Sequence, residues 1–135
     1  MLKPITLFIF TCVLFFMSTL VVKSQEIKDD YGIAVALEEG SSKAISSYFD
    51  EMVEISLGKD KRDFSKNQAE VVLGDFFDNY QAKSFELRDQ RQSNENFMYL
   101  TGIYQSNNDV FKVLIKGKKF QDEQFVIYSM DFLKE

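Results

Sequence analysis

From residue 27 onward, the spacing of apolar residues divides the chain into a helical part followed by strands. Ile27, Tyr31, Ala34 and Leu37 recur at the interval of one helical face, and Gly40 then ends the run. Ser41 and Ser42 can cap a second, short helix with apolar positions Ala44, Ile45, Tyr48 and Phe49. Met52 to Leu57 alternates apolar with polar and reads as a short strand stopping at Gly58. Asp60 to Arg62 follows as a turn, with Phe64 in a brief return strand. The third helix has the clearest start. Ser65-Lys66-Asn67-Gln68 fits a capping box, in which the Ser and Gln side chains satisfy free backbone N–H groups. Ala69, Val72, Leu73, Phe76 and Tyr80 then mark one helical face.

After Tyr80 the period changes from 3.6 to 2. Ser84 to Arg88, Asn96 to Gln105, Val110 to Lys116 and Gln124 to Phe132 read as strands. Ser93-Asn94-Glu95, Ser106-Asn107-Asn108-Asp109 and Gly117-Lys118-Lys119 separate them as turns. Short connections make hairpins, so the expected sheet is an antiparallel meander. Helices followed by one antiparallel sheet is an α+β layout, with the helices on one sheet face.

Upstream of the domain, Lys3 precedes an uncharged apolar run from Ile5 to Val22. A basic start, an apolar stretch and the small residue Ser24 are the parts of a secretory signal. The expectation is a signal peptide over 1–24, cleaved after Ser24, and one domain over 25–135, delivered to the periplasm or beyond in a Gram-negative type of cell. The alternative is a membrane anchor through residues 5–22, since 18 residues is the lower edge of a span. Cys12 lies within the run rather than after it, which argues against a lipoprotein.

Composition then narrows the chemistry. Cys12 is the one cysteine and histidine is absent, so the mature domain has no disulfide, no thiolate or imidazole metal ligand and no Cys nucleophile. Adjacent acidic residues such as Asp29-Asp30 and Glu38-Glu39 point apart on a helix, and no stretch has calcium-loop spacing. No metal or other cofactor is expected. Without Lys3 and Lys23, 14 basic residues face 21 acidic ones, a net charge of −7, which opposes nucleic-acid binding. Two small basic clusters, Lys59/Lys61/Arg62 and Lys116/Lys118/Lys119, read as solvated turns.

Two groups of segments carry a resemblance. The first is Ala36-Leu37…Gly40…Ile45…Tyr48-Phe49, then Ser65…Gln68-Ala69-Glu70…Leu73…Phe76-Phe77, then Phe85. The second is Tyr99…Gly102 followed by Phe111-Lys112-Val113. Together they resemble an uncharacterised domain-of-unknown-function family of small exported bacterial proteins, over about residues 27–134. The resemblance implies the nuclear-transport-factor-2-like (cystatin-like) cone, in which helices and a curved sheet can enclose a pocket. The family pattern carries a His-x-Gly where this chain has Asp89-Gln90-Arg91, so no role of that histidine transfers.

Strand alternation nominates Arg88, Tyr99, Lys112, Tyr128 and Asp131 as polar groups that could reach such a pocket. Tyr99, Lys112 and Tyr128 are the ligand-binding candidates, with the tyrosines facing inward and Lys112 near the mouth. In the last strand, Val126, Tyr128 and Met130 should share a face opposite Ile127, Ser129 and Asp131. No residue is nominated as catalytic. The mature chain carries ten Phe and six Tyr, enough to fill the cone with rings instead. The favoured function is therefore a non-catalytic module, free of the membrane after cleavage, that binds a small apolar ligand or a protein partner or self-associates through its sheet. The alternative is a cone-fold enzyme using Tyr, Asp and Lys acid–base chemistry on a small apolar substrate.

Overall fold

The structure is a computed structural model and describes residues 28–93, 96–120 and 124–135. The expected signal peptide over 1–24 lies outside the described residues, as do residues 25–27 and part of the expected Ser93-Asn94-Glu95 turn. Helix α1 spans Lys28–Glu39 and α2 spans Ser42–Ser46. The hairpin β1 (Phe49–Leu57) and β2 (Asp60–Ser65) follows, and then α3 (Lys66–Asn79). The chain closes with four strands: β3 (Ala82–Ser93), β4 (Phe97–Ser106), β5 (Val110–Lys119) and β6 (Phe125–Lys134). All six strands form one sheet in the order β2-β1-β6-β5-β4-β3.

The helices begin and end where local chemistry dictates. Ser41 caps α2 through the Ala44 amide. At α3 the full capping box forms: the Ser65 hydroxyl accepts from the Gln68 amide, and the Gln68 side chain accepts from the Ser65 amide. Helix α3 then buries Ala69, Leu73, Phe76 and Phe77, with Val72 and Tyr80 half-buried beside them. In α1 the core stripe is Ile33, Ala36 and Leu37, while Tyr31 is 67% exposed. Tyr31 precedes Leu37 by six residues, which places it about 120° away round the helix.

Four strand expectations need correction, each for a tertiary reason. Phe49 opens β1 instead of closing α2, because the Tyr48 carbonyl accepts from the Ile127 amide and draws this segment into the sheet. Asp60 to Arg62 is strand, not turn. A two-residue loop at Gly58 and Lys59 suffices, and Lys61 reaches across to Glu54 at 3.1 Å. Gly117-Lys118-Lys119 likewise continues β5, paired on both sides to β4 and β6. The Phe125 ring lies where a Gly117 Cβ would be, so this glycine admits an aromatic ring rather than a bend. Finally, β3 to β6 do form the expected antiparallel meander, but β1 joins parallel to β6. The crossover through α3 makes that pairing sterically accessible.

The core lies between α1, α3 and one face of the sheet. Phe76 stands at its centre, with ring centroids 4.6 Å from Phe132, 5.1 Å from Tyr80, 5.2 Å from Phe111 and 5.8 Å from Tyr104. Tyr104 is fully buried, and its hydroxyl donates to the Tyr80 carbonyl just past the end of α3. Burial pushes the Tyr104 phenol up to about 12.

Two measurements follow from this core. Phe76→Ala should cost about 3–5 kcal/mol in denaturant unfolding, a large part of the roughly 5–15 kcal/mol of such a domain. A cost below about 1 kcal/mol would place Phe76 outside a packed core. Because Tyr104 has a raised pKa in the folded state, its neutral form favours folding. Its contribution is complete below the ordinary phenol value and is lost as pH rises from 10 towards about 12. Melting curves across that window should show a smaller alkaline loss in Tyr104→Phe than in the wild type; equal losses would mean that Tyr104 is not the group responsible.

Candidate functional site

Alternating burial along the strands separates the two faces of the sheet. On β4 the core side takes Leu100, Gly102, Tyr104 and Ser106; on β5 it takes Phe111, Val113, Ile115 and Gly117. Tyr99 and Lys112 are therefore on the open face, turned away from the helices. In β6 the pairing shifts between Lys116 and Gly117, so that Gly117 faces Ile127 while Lys116 faces Ser129. That extra residue moves Met130 to the core side with Ile127 and Phe132, against the simple alternation. Tyr128 remains on the open face. The inward placement expected for Tyr99, Lys112 and Tyr128 is thus overturned.

The open face nevertheless brings the two tyrosines together. Tyr99 and Tyr128 are neighbours there, and the Tyr128 phenol is raised by burial, then by the adjacent Tyr99. The Phe97 ring meets Tyr128 edge-on at 6.2 Å, and the Lys118 ammonium sits 5.4 Å from both ring centroids. A cation over two aromatic faces is attracted by both ring quadrupoles. Lys112 is not part of this cluster. It pairs in register with Ile103 and Leu133, whereas Tyr99 pairs with Lys116, four residues further along β5. Lys118 is the lysine beside the tyrosine cluster. Lys118 has the same strand parity as Lys112 and escaped notice because Gly117 reads locally as a turn.

The remaining polar candidates are dispersed. Arg88 is exposed at the β3 irregularity and pairs with Glu86 at 3.3 Å. Asp131 lies half-buried on the open face between Leu114 and Ser56. Glu54 accepts from Ser129 at 3.3 Å as well as from Lys61.

The helix-covered side holds rings instead of a chamber. No Asp, Glu, Lys or Arg among the described residues is buried, and none of their buried side-chain polar atoms lacks a hydrogen-bond partner. Among the same residues no His, Cys, Asp and Glu group could hold a metal ion. A cleft of about 370 Å³ opens between the C-terminal half of α3 and the ends of β1, β5 and β6. Its floor is Leu57, Val72, Phe76, Tyr80, Phe111 and Phe132, and Asp75, Asn79 and Lys134 stand at the rim. It was not anticipated from the sequence, because its walls come from segments up to 77 positions apart, Leu57 and Lys134.

Comparison with known proteins agrees with this architecture. A DUF4783 family protein of Bacteroides uniformis is 25% identical with a TM-score of 0.73, over 78% of this chain and 95% of that one. Another, from Bacteroides ovatus, is 24% identical with a TM-score of 0.72, over 77% and 93%. An NTF-2-like protein of unknown function from Silicibacter pomeroyi shares the fold at 10% identity and a TM-score of 0.57, over 78% and 89%. No curated protein matches the chain. The family profile for a domain of unknown function, DUF4783, matches residues 31–132. The chain, an α+β cone of the nuclear-transport-factor-2-like kind, belongs to the DUF4783 family.

Proposed function

We propose that this protein is an exported, non-catalytic interaction module that works through the open face of its sheet, with a second copy as its partner. The observation that carries the proposal is the contrast between the faces. The helix-covered side is filled with rings and lacks a buried carboxylate or ammonium among the described residues. Acid–base catalysis by Tyr, Asp and Lys calls for such a group, shielded from water and shifted in pKa. The open side instead presents Phe97, Tyr99, Tyr128 and Lys118 at the surface, residue types that anchor protein interfaces when they are aromatic. Lys112 would belong to the same docking surface rather than to a pocket.

Size and charge favour self-association. Six strands of 6 to 12 residues make a face of roughly 900 Å², close to one side of a standard interface. Lys112, Lys116 and Lys118 line β5, while Asp131 and Glu54 lie on β6 and β1. A two-fold axis along the strands between β5 and β6 would lay the basic β5 of one copy over the other copy's β6, which carries Asp131. The acidic balance of the domain counts against nucleic acid as a partner.

Export is supported by the Ile5 to Val22 run ending at Ser24, and would leave the domain in the periplasm or outside the cell. N-terminal sequencing of the native protein should begin at Gln25. Recovery of Met1 in a membrane fraction would replace export by anchoring through residues 5–22.

Sedimentation equilibrium tests the interface. The wild type should form dimers, and Tyr99→Ala with Tyr128→Ala should weaken them by about tenfold or more while circular dichroism stays unchanged. A wild type that stays monomeric at its solubility limit, or a double variant that dimerises equally well, would defeat the proposed interface.

A further inference from the structure

We infer that the cleft at the foot of α3 is a binding site for a small apolar amine, its hydrocarbon body on the aromatic floor and its ammonium at Asp75. The site uses no residue of the open face, so it is independent of the proposed dimer. At about 370 Å³ it falls among ordinary small-ligand sites. It would hold about a dozen non-hydrogen atoms at roughly 30 Å³ each.

The sign of the ligand's charge follows from how the rim charges are already committed. Lys134 is held 2.7 Å from Asp109, and that hydrogen bond, then the Asp109 charge, keeps its ammonium above the usual range. Along the adjoining seam Arg62 is tied to Asp60 at 3.0 Å. Asp75 has no ion-pair partner among the described residues, and lines the cleft with its carboxylate uncommitted. An anionic ligand would therefore meet a free carboxylate and no free cation. An ammonium would meet that carboxylate on one side and the rings of Phe76, Tyr80 and Phe111 on the other, both attractive. The floor offers a neutral hydrocarbon the same contact as an amine, so the charge at Asp75 is what sets the preference.

Matched probes isolate this effect. The exported protein is titrated calorimetrically with 4-phenylbutylamine and with 4-phenylbutyrate, which share ring and chain and differ in charge. The amine should bind about fivefold more tightly than the carboxylate, the upper range for one solvent-exposed ion pair. Asp75→Asn should equalise the two, with an unchanged melting curve because Asp75 is exposed. Val72→Trp, which fills the cleft, should abolish amine binding. Equal or tighter binding of phenylbutyrate to the wild type, no detectable amine binding, or a preference that survives Asp75→Asn would each overturn the assignment. So would amine binding retained in a folded Val72→Trp variant; should that variant unfold, the Asp75→Asn comparison decides alone.

Discussion

The seating of Phe76 among the rings of Phe132, Phe111 and Tyr104 is the contact on which the rest of the structure depends. Helix α3 is the crossover between the β1–β2 hairpin and the meander, and Phe76 joins it to the ends of β5 and β6. Each aromatic pair adds about 0.5–1.5 kcal/mol beyond its buried area. The Tyr104 hydroxyl fastens the same junction from the other side by donating to the Tyr80 carbonyl. With α3 anchored there, β6 can lie parallel beside β1 and close the six-stranded order.

Aromatic rings fill much of the helix-covered side. Phe76, Phe77, Phe111 and Phe132 pack this side, and no Asp, Glu, Lys or Arg among the described residues is buried. The ion pairs, such as Lys134–Asp109 and Lys61–Glu54, are solvent-reachable, so water screens them and they add little. Stability therefore rests on apolar packing, as expected of a domain whose residues 25–135 contain no cysteine. Polar groups lie at the surface, on the open sheet face and at the rim of the cleft.

Glycines and one strand irregularity shape both surfaces. Phe85 covers Gly102 and Phe125 covers Gly117, each ring occupying the space of an absent side chain. The Phe125 contact keeps β5 extended where a local view of the chain suggests a break. The shifted pairing of β6 against Lys116 and Gly117 sends Met130 into the core and leaves Tyr128 outside, beside Tyr99 and Lys118. One extra residue in one strand thus composes the aromatic cluster.

What could be read from the chain alone was whatever depends on near neighbours. The Ser65–Gln68 capping box, the Ala69–Leu73–Phe76 face and the meander after Tyr80 are set by residues a few positions apart, and they stand. The absence of His, and of Cys from residues 25–135, restricted the chemistry just as directly. Which face of each strand meets the helices was not legible, because β4 is apolar on both sides: Tyr99 and Ile103 on one, Leu100 and Tyr104 on the other. Alternation supplies a parity and leaves its direction open. Only the docking of α3 selected the Leu100 and Tyr104 side for the core, and only the β5–β6 pairing could reverse the parity within β6. The parallel β1–β6 contact and the cleft at the foot of α3 unite residues more than seventy positions apart, and such proximity exists only once the chain has folded.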